Sequence, residues 1–137
     1  MLLKHLPEDM QADEISELEL EIITQKIGEE VVLKNVTFAS NSVEIDASSY
    51  IELDKLIFYL RKNPKIQIEI QGHTDDIGSE IENLILSEKR ARAVYNYLMP
   101  KVDNNLSHIG YGESRPLSSN DSDNGRELNR RTSFVIQ

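Results

Sequence analysis

Seven consecutive residues, Lys65–Gln71 (KIQIEIQ), alternate without a break, with Ile66, Ile68 and Ile70 on one side and Lys65, Gln67, Glu69 and Gln71 on the other. Only an extended chain separates side chains with a period of two, so the segment is predicted as a strand with one face on a core and one in water. A sheet built around such a strand needs a single apolar layer to cover it. Two segments have the pattern to supply that layer. Tyr50, Leu53, Leu56, Ile57 and Leu60 form one helical stripe, opened by Ser49-Tyr50-Ile51-Glu52 in capping-box form and stopped at Asn63-Pro64. A second capping box, Ser79-Glu80-Ile81-Glu82, opens a helix running to about Met99-Pro100. Its expected core stripe is Ile81, Leu84, Ile85, Ala91, Val94, Tyr95 and Leu98.

Three further strands are predicted, at Val31–Phe38, Leu106–Tyr111 and Thr132–Gln137, with a short helical turn at Arg126–Asn129 before the last. The order β-α-β-α-β-(short helix)-β implies an α+β fold. It is a two-layer sandwich in which two helices cover one face of a mixed sheet, with an N-terminal helical or extended appendage. A chain of 137 residues with 39% hydrophobic residues supports one such domain.

Charge separates the appendage from the rest. The net charge is −9, and residues 1–30, with nine acids against two bases, carry −7 of it. Residues 1–30 are therefore expected to be an acidic lead-in, within which Ile15, Leu18, Ile22 and Ile23 suit either a short helix from about Ala12 to Gln25 or a solvated linker. Residues 31–137 are the expected domain. An acidic chain repels a phosphate backbone, so nucleic acid is not an expected partner. No apolar run approaches the roughly 20 residues that span a bilayer, so no membrane insertion by this chain is expected. The N-terminus lacks the apolar region and cleavage site of a signal peptide. With no cysteine, disulfides, thiolate nucleophiles and Cys-ligated metals are excluded.

The stretch richest in chemistry is Gly72–Arg92. Asp75 follows the C-terminal end of a predicted strand, the rim where α/β arrangements place ligands. Asn83, Ser87 and Arg90 fall at i, i+4 and i+7 and share a helix face. A carboxylate and a guanidinium facing each other across a groove suit an amino-acid head group, the acid taking the ammonium and the arginine the carboxylate. A plain Asp75–Arg90 salt bridge, or Asp75 capping its own loop, fits the same spacing. Arg126, Arg130 and Arg131 read either as an anion site or as a solvated strand entrance. His73, Asp75 and Asp76 lie close together, but no second histidine is near, so no metal or cofactor is expected. His73 is expected to be a loop residue bonded to backbone. There is no nucleophile elbow, and no enzymatic activity is expected.

Several separated motifs share one resemblance. Phe38-Ala39-Ser40-Asn41-Ser42, Gly72-His73-Thr74-Asp75, Asn83, Leu86–Ala91 (LSEKRA), Gly110–Pro116 (GYGESRP), Asn120, Gly125-Arg126 and Asn129-Arg130-Arg131 occur in order. Together they resemble the OmpA-like domain family, the peptidoglycan-binding module of outer-membrane protein A and the peptidoglycan-associated lipoprotein Pal. The resemblance covers about Val31 to Gln137. It implies non-covalent binding of the peptidoglycan stem peptide through diaminopimelate, held by Asp75 and Arg90, with supporting contacts from Asn41, Thr74, Asn83 and Arg130. It also implies a periplasmic, outer-membrane-associated module, here as part of a longer protein. The other reading it leaves open is a protein–protein interaction module of an envelope complex. Two departures stand out: Ala39, where many members carry an acid, and Tyr97–Asp103, which is about three residues shorter than usual and lacks the common glycine turn.

Overall fold

The computed structural model describes residues 27–137; the expected helix at Ala12–Gln25, with most of the lead-in, lies outside the described residues. The elements are β1 (Glu30–Val32), α1 (Tyr50–Lys62), β2 (Ile68–His73), α2 (Glu80–Leu98), β3 (Leu106–Gly110), α3 (Asp123–Asn129) and β4 (Arg131–Ile136). The sheet order is β1-β4-β2-β3. β2 and β3 run parallel, while β4 is antiparallel to both β1 and β2. This is the expected mixed sheet.

Register explains the layers. Ile70 pairs with Phe134, and Phe134 with Val31, so these three residues face the same side. On that side they are joined by Leu53, Leu56 and Leu60 of α1 and by Ala91, Val94 and Leu98 of α2, all essentially inaccessible to solvent. α1 therefore buries the stripe its periodicity specifies. α1 ends at Asn63, whose amide nitrogen and side chain return to Leu60 and Tyr59 carbonyls, with Pro64 next.

Local expectations are revised in four places. First, the leading strand stops at Val32 rather than Phe38; the chain turns, and Phe38 makes only an isolated bridge to Ile45. Second, Ser49 does not cap α1. The chain enters through a 3-10 turn at Ala47–Ser49, and the fully buried Ser49 hydroxyl instead accepts from the Thr37 N–H at 2.9 Å. Third, the first half of the α2 stripe is inverted: Ile81, Leu84 and Ile85 are exposed, and the buried positions are Asn83, Ser87, Ala91, Val94 and Leu98. Fourth, the second face of β2 is not simply wet, because Gln71 and His73 are both buried there.

The inversion of α2 has a steric cause. Gly72 and Gly110 are neighbours in the parallel register. A Cβ on Gly72 would overlap the Ser87 carbonyl, and a Cβ on Gly110 the Glu88 backbone nitrogen. α2 therefore lies directly on the sheet, and a side chain of isoleucine size does not fit between them. The Ser79 hydroxyl accepts from the Glu82 N–H at 3.0 Å and starts the helix where the capping box places it. Among the described residues no helix is long and apolar enough to cross a membrane.

Gly110→Ala and Gly72→Ala should each cost about 2 kcal/mol or more, since the helix has to lift off the sheet. Urea unfolding measures this, and an unchanged midpoint for either variant would remove the close-contact account.

Candidate functional site

β2 leads out of the sheet into Thr74 and Asp75, both buried. The turn that follows is organised around the aspartate. The Ile77 N–H donates to its Oδ1 at 3.0 Å, while Thr74 Oγ1 and Asn83 Nδ2 donate to its backbone carbonyl at 2.7 and 3.3 Å. Asn83 also donates to the Ile77 carbonyl at 3.0 Å, and Gly78, at φ +92°, lets the chain turn into α2. Asp75 thus does cap its own loop, and its second oxygen remains for another partner.

That partner is Arg130, whose Nη1 lies 2.7 Å from Asp75 Oδ2. Arg90 is held differently. Its Nε donates to the Ser42 carbonyl at 2.9 Å and its Nη2 to the Ala39 carbonyl at 3.2 Å, with the guanidinium 5.1 Å from the Phe38 ring centroid. The turn that aims these carbonyls is closed by Asn41 in the left-handed region (φ +55°), which asparagine tolerates better than most residues. Among the described residues no carboxylate lies within ion-pair distance of Arg90. Burial lowers its pKa from the usual arginine value. A half-buried guanidinium bonded only to carbonyls keeps its positive charge uncompensated.

Asn41, Thr74, Asp75, Asn83, Arg90 and Arg130 all line one cavity of about 1150 Å³. The six candidate residues are thus brought together, although the direct Asp75–Arg90 ion pair is not formed. The arginine cluster, in contrast, divides three ways. Arg126 pairs with Asp123, Arg130 with Asp75, and Arg131 makes a two-pronged contact with Glu30 at 2.6 and 3.1 Å. Each has its own carboxylate, so the three do not form a common anion site.

Three further residues support the site; helical spacing puts Ser87 on the face of Asn83 and Arg90 but assigns no role to Asn129 or Phe38. Ser87 Oγ accepts from the Gly112 N–H at 2.8 Å and ties α2 to the loop after β3. Fully buried Asn129 accepts from the Leu117 and Ser118 N–H groups and donates to the Ser118 carbonyl, shaping the approach to Arg130. Phe38 lies beneath Arg90. Among the described residues no group of three or more potential ligands is gathered for a metal.

His73 is not the expected backbone-bonded loop residue. It ends β2 on the helix-free face, only 3% exposed, with neither ring nitrogen hydrogen-bonded among the described residues. Tyr111 stacks on it at 5.4 Å, and Arg115 covers Tyr111 in turn. Beside it Glu30 accepts from Arg131 and from the Ser133 hydroxyl at 2.6 Å. Burial, aided by Arg131 and Arg115 and opposed by Glu30, lowers the His73 pKa to about 4. Burial pushes Glu30 upward, but its bonds from Arg131 and Ser133 outweigh that and hold its pKa below the usual value.

The sequence profile of the OmpA family matches residues 37–130. The chain is 31% identical to outer membrane porin F of Pseudomonas aeruginosa over 106 residues, which cover 75% of the chain and 30% of the porin. It therefore spans less than a third of that relative. The crystal structure of the peptidoglycan-associated lipoprotein from Burkholderia pseudomallei superposes with a TM-score of 0.67 at 30% identity, covering 74% of this chain and 88% of that one. The cell wall anchor of the type VI secretion system from P. aeruginosa gives 0.68 at 25% identity, covering 87% and 92%.

Acidification should destabilise the domain through the second-face cluster. A neutral buried histidine binds its proton more weakly folded than unfolded, so the stability it confers is present above pH 6.5 and is lost as pH falls toward 4. The depressed Glu30 acts in the same direction below its unfolded value of 4.5. The His73 contribution is on the order of 2–3 kcal/mol. Urea unfolding at pH 7 and pH 4.5 should show a steep loss in wild type and a smaller one in His73→Phe; equal losses would refute this assignment.

Proposed function

The chain belongs to the OmpA family, and from that premise we propose that residues 31–137 bind peptidoglycan non-covalently, through the diaminopimelate of an uncross-linked stem peptide. The acidic lead-in expected over residues 1–30 ends before Glu30, which opens β1 and locks Arg131. The observation that carries the reading is the uncompensated Arg90 guanidinium in the same cavity as the buried Asp75 carboxylate. A zwitterionic end group complements both: its carboxylate meets Arg90 and its ammonium meets Asp75. A ligand lacking the carboxylate leaves Arg90 desolvated without a counter-charge, and one lacking the ammonium offers Asp75 nothing in place of Arg130, which is how the site discriminates.

The supporting residues have separate tasks. Thr74 and Asn83 hold the Asp75 backbone. Asn41 shapes the turn whose carbonyls orient Arg90, and Arg130 contributes a second guanidinium at the rim. None of these tasks requires bond breaking, so the role is anchoring rather than catalysis. The names of two similar proteins, a peptidoglycan-associated lipoprotein and a cell wall anchor, support the same reading. It places the module in the periplasm, linking an outer-membrane or other envelope protein to the cell wall.

A second reading, docking of an envelope protein, is favoured by one observation: Ile81, Leu84 and Ile85 form an exposed apolar strip on α2.

Co-sedimentation with purified sacculi separates the two. Asp75→Ala and Arg90→Ala should each weaken binding at least about tenfold, the worth of one charged hydrogen bond. Retention of wild-type binding in both variants would overturn the clamp. Failure of wild type to sediment would leave the docking reading.

A further inference from the structure

Both oxygens of the Asp75 carboxylate already have a partner. Asp75 Oδ1 is used by the Ile77 N–H, and Oδ2 is 2.7 Å from Arg130 Nη1. A ligand ammonium added beside Arg130 would place two positive charges on one carboxylate that is only 7% exposed. Release of one cation as the other arrives avoids that like-charge cost.

The structure indicates which. The Asp75 side chain is 11% exposed and fixed through its turn, whereas the Arg130 side chain is 48% exposed and, among the described residues, makes its one side-chain hydrogen bond through Nη1. Arg130 can swing into water without moving the backbone. Arg90 is the opposite case, held by two carbonyls and Phe38.

We propose that Arg130 is a built-in occupant of the ammonium position on Asp75, that binding exchanges it for the ligand's ammonium, and that the released guanidinium selects ligands carrying a second carboxylate. This rests on the zwitterion-binding role assigned to the site above.

Charge counting gives the selectivity. Without ligand, Asp75 and Arg130 neutralise each other and Arg90 stands alone. Arg131 is satisfied by Glu30, and the remaining lining charges, Lys34 and Glu127, are of opposite sign. A ligand with one ammonium and one carboxylate takes Asp75 and Arg90 but leaves Arg130 without a counter-charge. A ligand with one ammonium and two carboxylates satisfies all three groups. Diaminopimelate that ends its stem peptide has this composition: ammonium and carboxylate on one α-carbon, a second carboxylate on the other. Amidation of that second carboxylate removes the partner for Arg130. The exchange swaps one ion pair for another, so the second carboxylate supplies most of the net gain.

NMR titration at constant ionic strength tests this with two probes, mono-N-acetyl-diaminopimelate and its amide at the acetylated end. Wild type should bind the diacid roughly tenfold tighter than the amide, the effect of one additional charge-assisted hydrogen bond. Arg130→Gln should bring that ratio close to one, and should bind the amide at least as tightly as wild type does, since the competitor on Asp75 is gone. Arg130→Met is the second variant, so that a folding defect in one does not decide the result. Equal binding of the two probes by wild type, or an unchanged preference in both variants, overturns the exchange and leaves the zwitterion site standing. Failure of wild type to bind either probe, or undiminished binding by Asp75→Asn, overturns the site itself.

Discussion

The geometry of this domain depends on how closely α2 lies on the sheet at Gly72 and Gly110. The two glycines are adjacent in the parallel β2–β3 register, and neither could carry a Cβ without meeting the backbone of Ser87 or Glu88. A helix held at backbone contact has little freedom to shift along or roll over its support. That contact directs Asn83 toward the turn after β2 and brings the Ser87 hydroxyl to the Gly112 N–H. It also carries Arg90, two turns further along, to the carbonyls of the turn before α1. Asp75 and Arg90 consequently line one cavity although they reside on different elements.

Electrostatics then divides the arginines by role. Arg131 is buried and locked by Glu30, so it holds β1 to β4. Arg130, the residue just before it, points the other way and neutralises Asp75. Arg90 has carbonyl partners but no counter-ion among the described residues. Successive residues entering a strand face opposite sides, so a single Arg-Arg pair serves one structural and one site-lining function. The burial of Arg90 without a counter-ion, which a folding domain would otherwise avoid, is the observation from which an anionic ligand is proposed.

Much of this was legible from periodicity. The α1 stripe, the Ile68/Ile70 face of β2, the Ser79 helix start and the element order required only the 3.6- and 2-residue repeats and one hydroxyl. All six candidate residues line the cavity, Asn41, Thr74 and Arg130 having been implied only by the family resemblance. The partnering was not legible: spacing offered Asp75 with Arg90, and the fold pairs Asp75 with Arg130, 55 positions away in sequence. The α2 stripe failed for a related reason. Ile81, Leu84 and Ile85 have the right spacing for burial, but the glycines beneath the helix admit only small side chains there. Ser49 had the form of a cap, yet its hydroxyl was recruited by Thr37 on a distant turn.

The sequence by itself determined the inventory and the order of elements, since hydrophobic period, proline stops and helix caps act over a few residues. It also determined which chemical groups were available, one acid at a strand end and arginines on a helix and before the last strand. Only the tertiary structure decided how those charges pair, which face of α2 is buried, and that His73 lies stacked and unbonded on the helix-free face. Pairing and burial depend on distances between segments remote in the chain, and those distances follow from how closely the layers pack.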